Sequence, residues 1–312
     1  MAGDKRTWTE SGLDAAARDA LREGLAGSAL WSLLLGVMEQ RARRRTPAEL
    51  LEQWRQDRFV RPCEIDQRTL NRLDAELLAA AAQFEALELA PLAPLGTCSV
   101  TALTSQNRIV STARGTEVVS DPTNVLALES VRRLRDDPGA EIKLATSHRC
   151  TRAQAVPDQP GFAAHFRIFC LTSAAHERKD HAFVAAALVE HIRTHWAALD
   201  RLERHGYSFS ERRLKLLSTP QRRHVAERIA AALPSVEVLH AELTHEYYAG
   251  LRFMIDVVTD SGASLPLVDG GAFAWLRTLG ANDKLAFVAS GLGSQLAAFA
   301  FRRTGASSAG AH

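Results

Sequence analysis

The chain's 312 residues are 46% hydrophobic and 24% charged, which excludes a disordered, fibrous or membrane-embedded protein. Its 38 Lys and Arg against 36 Asp and Glu leave a formal charge of +2, without the basic excess of a protein that grips a phosphate backbone over a long track. Cys63, Cys98, Cys150 and Cys170 form no C-x-x-C and have no histidine at ligand spacing, so neither a metal site nor a disulfide framework is expected and the reducing cytoplasm is the expected compartment. No leader-like apolar core opens the chain. The most apolar early stretch, 29–38 (ALWSLLLGVM), is too short to span a bilayer and runs straight into Arg41, Arg43, Arg44 and Arg45, so no membrane association is expected.

Three amphipathic helices are predicted before residue 90. The second has Thr46 as a cap, Pro47 at the first helical position and Glu49 closing a capping box. In the third, Leu70, Leu73, Leu77, Phe84 and Leu87 recur at helical spacing until Pro91 and Pro94 end the run. From residue 95 short β-like runs appear, at 108–113, 141–146, 162–171, 236–243, 247–258 and 285–289; Leu251, Phe253, Ile255 and Val257 alternate as a strand with one buried face requires. Helices fall between them. Asp121-Pro122 opens one that reaches Arg135, another covers 183–202, and Thr219-Pro220 opens a third. Strand runs with helices segregated between them predict an α+β fold on a mainly antiparallel sheet. There is no G-x-G-x-x-G after a strand and no Walker loop, and 304–312 reads as a flexible polar tail.

Four stretches, in this order, resemble landmarks of the class II aminoacyl-tRNA synthetase core in its histidyl-tRNA synthetase branch. STARGTEVVSDPTNVLALE (111–129) resembles the R-P-E-G-T segment beside the amino-acid pocket, and SHRCTRAQAVPDQPGFAAHFRIF (147–169) resembles motif 2, two strands around a loop with an early Arg and an aromatic after the loop. HEYYAGLRFMI (245–255) is similar to L-D-Y-Y-T-G-x-x-F, with Gly270-Gly271 where the branch has G-G-R-Y-D, and FVASGLGSQL (287–296) resembles motif 3. The resemblance implies a synthetase-like core over 65–303, a helical segment over 1–64 and no anticodon-binding domain. It also implies a homodimer through residues 70–89 and the strand after them.

The resemblance assigns roles as well. The motif 2 Arg that meets the ATP α-phosphate maps to Arg149 and its acidic companion to Thr151; the motif 3 Arg maps to Ser294 and Gln295. Arg positions near D-Y-Y and in G-G-R-Y-D fall at Leu243 and Ala272, while the Gln and Glu of the strand after motif 2 fall at Ile168 and Thr172. Arg114 stands where a Glu would hold the substrate ammonium, with Glu117 three residues on. A chain so altered is expected to have lost its ATP clamp, because an apolar or neutral side chain cannot neutralise a phosphoryl charge. It resembles the regulatory subunit of ATP phosphoribosyltransferase, a core-only relative.

The candidate ligand-binding residues are Arg114, Glu117, Arg149, Arg167, Glu246, Tyr247, Tyr248, Arg252 and Asp269, with Arg149 and Glu246 as the candidates for catalysis. Each has a plainer alternative: the arginines in solvent or ion pairs, one tyrosine of a strand in the core, Asp269 as a turn residue before two glycines. His176, Asp180 and His181 read as a solvated loop and helix cap, His191 and His195 as a structural pair on one helical face or as exposed residues, and no nucleophile is assigned. The expected function is binding of a small amino-acid-like or anionic ligand without tRNA charging, with a possible partner enzyme. The alternative is a recruited amino-acid ligase, under which ATP and Mg²⁺ would be required; otherwise no cofactor and no metal are expected.

Overall fold

The computed structural model describes residues 12–156, 161–259 and 262–303; the expected flexible tail lies outside them. The N-terminal part is helical: α1 (Ala15–Asp19), α2 (Gly27–Arg43), α3 (Pro47–Gln56) and α4 (Gln67–Ala80). Helix α3 starts as its sequence requires. Thr46 Oγ1 accepts from the Glu49 amide at 3.3 Å, and the Glu49 carboxylate accepts from the Thr46 amide at 2.7 Å, which holds that carboxyl below its ordinary range. Helices α1 to α3 bury no residue and leave Leu33, Val37, Met38, Leu50, Leu51 and Trp54 exposed. Helix α4 does the opposite, burying Leu70, Leu73 and Leu77 in the chain's own core, and it ends at Ala80 rather than running on to 89.

The remaining elements are β1 (Glu85–Ala86), β2 (Leu92–Pro94), α5 (Thr97–Thr101), β3 (Thr116–Val118), α6 (Pro122–Asp136), β4 (Ile142–Thr151), β5 (His165–His176), α7 (Ala182–Arg204), β6 (Glu211–Ser218), α8 (Arg223–Ala231), β7 (Val238–Glu242), β8 (Leu251–Val258), β9 (Ser264–Phe273), α9 (Trp275–Thr278), β10 (Leu285–Leu292) and α10 (Ser294–Ala300). Eight strands form one sheet in the order β1-β4-β5-β10-β9-β8-β6-β7. All pairs are antiparallel except the two at the edges, β1 with β4 and β6 with β7. This is the α+β class expected, with a helical N-terminal segment. No helix among the described residues is long and apolar enough to cross a membrane.

Besides the two- and three-residue strands β1, β2 and β3, two long strands fall outside the runs predicted from sequence. In β6, Arg212, Arg213 and Lys215 interrupt the leucines, and β9 carries Pro266 and two glycines, so neither has the signature of a buried strand. The run at 108–113 is instead a 3₁₀ turn at Gln106–Arg108 followed by a single bridge from Ser111 to Glu117. The run at 247–258 becomes a strand only at Leu251, because Tyr247 and Tyr248 lie in a turn.

The period of two along each strand gives the sheet two distinct faces. On one, Phe169 and Leu171 of β5, Leu251, Phe253 and Ile255 of β8, and Val288 and Leu292 of β10 share a core with α4, α7 and α10. On the other, α6 and α9 pack over Ala174, Phe273, Phe287 and Ala289. Gly270 and Gly271 serve the two faces separately. A Cβ on Gly270 would lie 2.4 Å from Ser290 Cβ on the first face, and one on Gly271 would lie 2.6 Å from the Tyr248 ring on the second.

His191 and His195 of α7 enter the first face together and are fully buried. His195 Nδ1 has no partner among the described residues, so that nitrogen carries the lone pair and Nε2–H donates to Ser290 Oγ at 2.8 Å. Ser290 O–H then donates to His191 Nδ1 at 2.8 Å, and His191 Nε2–H to Ser173 Oγ at 3.0 Å. Both rings are thus neutral. Burial pushes His195 down to about 3 and holds His191 well below its ordinary range as well.

Candidate functional site

A cavity of about 440 Å³ opens on the second face, between the α5 region, the start of α6, the end of β4 and the turn before β8. Its charged and polar walls are Arg108, Asp121, Asn124, Arg152, Gln154 and His245, with Tyr247. Local structure explains how they converge. Asp121 is the N-cap of α6: its Oδ1 accepts from the Thr123 amide at 3.0 Å and from the Thr123 hydroxyl at 2.6 Å, which leaves Oδ2 turned elsewhere, 3.8 Å from Arg152 Nη2. Arg152 follows directly on β4. Its Nε donates to the Ser120 carbonyl at 3.1 Å, and its guanidinium lies 4.9 Å above the ring of Phe166 on β5. Asn124, one turn into α6 and 1% exposed, has a side-chain amide nitrogen with no partner among the described residues. Such a buried donor asks for an acceptor in the cavity.

The nine candidate residues part company in the structure. Tyr247 lines the cavity, packed edge-on against Tyr248 at 5.1 Å and Phe273 at 5.4 Å. Because both tyrosines precede the strand, their rings sit on one side of the sheet rather than on opposite faces; burial raises both phenols well above their ordinary range. Tyr248 donates to the Asp269 carboxylate at 3.0 Å, and Arg252 grips the same carboxylate through Nε and Nη2 at 2.9 and 2.8 Å while lying over the Tyr248 ring. Asp269 stands inside β9 and not in a turn. With its oxygens taken by Arg252 and Tyr248, it is not the free carboxylate that a ligand amine would need.

Four other candidates lie away from the cavity. Glu117 is fully buried, and its carboxylate accepts from the Gly96 and Cys98 amides at 2.8 and 3.0 Å and from Gln106 Nε2 at 2.9 Å, so it braces the loop before α5. Arg114 and Glu246 are outside the cavity lining, Arg114 in the loop that leads to β3 and Glu246 exposed in the turn before β8. Arg167 points to the first face, paired with Asp74 of α4 at 2.5 Å.

Arg149 points to the first face as well, away from the cavity. Arg149 lies inside β4 and Arg152 one residue beyond its end; Cys150, next to Arg149 and so on the opposite face, pairs with Phe166, whose ring lies under Arg152. The guanidinium that meets both the cavity and the aromatic of the second motif 2 strand therefore belongs to Arg152. Two residues on, Gln154 lines the cavity where an acidic companion would stand. Asp121, Asn124 and Arg108 were missed as site residues because each already had a local reading. The pair Asp121-Pro122 announces a helix cap, and nothing in a cap signal says that its second oxygen faces a cavity.

No family model and no curated protein matches the chain by sequence. Solved structures do match it in fold. A protein of Bacillus halodurans described as an ATP phosphoribosyltransferase regulatory subunit/histidyl-tRNA synthetase superposes with a TM-score of 0.55 at 14% identity, over 77% of this chain and 82% of that one. Apo histidyl-tRNA synthetase from S. aureus gives 0.53 at 13%, over 74% of this chain and 64% of its own length, so this chain spans under two thirds of that enzyme. A histidine–tRNA ligase subunit of Alicyclobacillus acidocaldarius gives 0.54 at 11%, over 76% and 96%. At these identities the likeness is one of fold: the chain has a class II synthetase-like core.

Proposed function

We propose that this chain binds a small zwitterionic, amino-acid-like ligand in the Asp121 cavity without charging tRNA. In this reading it is a homodimeric accessory or regulatory subunit of a partner enzyme. The observation that carries the reading is a carboxylate and a guanidinium facing one cavity 3.8 Å apart, beside the unpartnered amide of Asn124. At that distance the two are not hydrogen-bonded to each other. An ammonium on Asp121 Oδ2 and a carboxylate on the Arg152 fork would replace one loose contact by two charge-assisted ones, and the Asn124 amide would gain an acceptor. The Bacillus halodurans protein described as a regulatory subunit supports the accessory role, since it shares this fold over most of its length.

ATP and Mg²⁺ fit this donor set poorly. Asp121 is the one carboxylate among the described lining residues, and no cluster of three His, Cys, Asp or Glu among the described residues is placed to hold a metal ion. Gln295, at the position where the motif 3 resemblance expects an Arg, accepts from Arg149 at 3.1 Å on the opposite face. The recruited ligase stays as a second reading on one observation: Arg152 above Phe166 offers a cation beside a flat ring.

A thermal-shift screen of histidine, other amino acids and ATP, followed by a pyrophosphate-release assay on the hits, separates the two. Stabilisation by an amino acid alone, lost in Asp121→Asn, is the expected result. Amino-acid-dependent pyrophosphate release abolished by Arg152→Ala would replace the binding reading with the ligase.

A further inference from the structure

A second cleft, of about 850 Å³, lies on the other side of the β4–β5 connection, between α3, the segment that follows it, and the start of α10. Nothing in the amino-acid reading uses it. Three aromatic rings stand open around it: Trp54 at 54%, Phe162 at 41% and Phe299 at 41% exposure, in a chain of which only 6% is aromatic. Its charged lining is Arg55, Arg58, Arg61 and Glu64, a basic excess, with His165 beside them. Arg55 is spoken for by Glu52 at 2.8 Å, but the guanidinium of Arg61 has no partner among the described residues, and Arg58 spends one nitrogen on the Ala153 carbonyl at 3.2 Å.

Behind this wall lies Arg149. Its Nη1 donates to His165 Nδ1 at 3.0 Å and to Gln295 Oε1 at 3.1 Å, both of which belong to residues that line the cleft. A guanidinium only donates, so His165 Nδ1 is the acceptor, and its Nε2–H donates to the Arg61 carbonyl at 2.7 Å. His165 Nδ1 and Gln295 Oε1 are both acceptors without negative charge, so neither cancels the charge of Arg149. The acid on the same face, Asp74, is occupied by Arg167 and Ser147. A half-buried guanidinium served only by neutral acceptors retains an electrostatic demand for an anion.

We propose that this cleft is a second binding site, for a small molecule that joins a phosphate or carboxylate to a planar ring. The anion would sit on the open fork of Arg61 beside Arg58, with the charge of Arg149 behind the His165 and Gln295 wall, and the ring against Trp54 and Phe162. Arginine forks recognise such oxyanions bidentately, and exposed aromatic faces give a ring its stacking partner. The site is independent of the Asp121 cavity, so either can fail alone.

The test is to titrate the full-length protein with AMP, ribose 5-phosphate and adenosine by calorimetry, with tryptophan fluorescence in parallel. AMP is expected to bind saturably, at least roughly tenfold tighter than either fragment, since ring and anion contacts both contribute. Arg61→Ala is expected to weaken AMP by about tenfold, one charge-assisted contact's worth, and Arg149→Met by about threefold through lost charge alone, while Arg152→Ala leaves it unchanged. Trp54→Phe should abolish the fluorescence response and keep calorimetric binding. Arg61 is exposed and makes no described side-chain contact, so Arg61→Ala decides the matter even if Arg149→Met fails to fold. AMP binding indifferent to Arg61→Ala, binding lost in Arg152→Ala, or no saturable binding at all would each overturn the proposal.

Discussion

Asp121 shows how one side chain can serve structure and site together. Its Oδ1 caps α6 and its Oδ2 faces Arg152, so the substitution that best isolates the second role keeps the first. Asp121→Asn retains an N-cap oxygen and removes the charge; helix stability should change by only a few tenths of a kcal/mol, whereas affinity for a zwitterion should fall about tenfold to a hundredfold, as loss of a charge-assisted contact dictates. Calorimetry against unfolding by urea separates the two effects. The buried histidines make a different prediction. Their native pKa values are depressed, His195 to about 3, so the unfolded chain takes up protons that the folded one refuses. Stability is then complete above the ordinary histidine range near 6.5 and is lost as pH falls towards 3, at about 1.4 kcal/mol per pH unit for each ring. Urea midpoints at pH 7.5 and 5.5 check this. A midpoint that does not fall over that interval would contradict the neutral, buried pair.

At the scale of elements, the consecutive glycines of β9 are the least replaceable positions in the sheet. A methyl on Gly271 would press on the Leu251 carbonyl at 2.4 Å, held in β8, and on Tyr248, held by its bond to Asp269, so Gly271→Ala is expected to cost about 1–3 kcal/mol and to disturb the Tyr248–Asp269–Arg252 cluster. Thermal unfolding with near-ultraviolet circular dichroism reports both effects. The sequence made α6 and α7 legible through their caps and their 3.6-residue spacing, and β8 through strict alternation. It hid β6 behind three cations and β9 behind a proline and glycines, because sheet interiors tolerate such residues only through neighbours that a single strand does not show. The candidate site was legible to a similar depth: Tyr247 lines the Asp121 cavity, whereas Arg149 lies on the opposite face from it, a parity that only the observed pairing of Cys150 with Phe166 sets.

For the whole molecule, the division of apolar surface is informative. Helix α4 spends its leucines on the chain's own core, so the homodimer expected through residues 70–89 cannot draw on them, while α2 leaves Leu33, Val37 and Met38 uncovered. A helix that buries nothing is marginal on its own, so covering α2 with a second copy would stabilise it and leave the cleft beside α3 open. Sedimentation velocity at micromolar concentration should give a dimer that Leu33→Glu weakens; a clean monomer would remove the dimer from the account. The proposed function rests on the Asp121 cavity, on a class II synthetase-like sheet, holding a zwitterion by its two opposite charges. Its most direct test is calorimetric titration of amino acids into the wild-type protein, Asp121→Asn and Arg152→Ala, with no nucleotide present. Saturable binding that falls about tenfold or more in each variant is the predicted result. Binding that survives both substitutions, or that requires ATP to be seen at all, would contradict it.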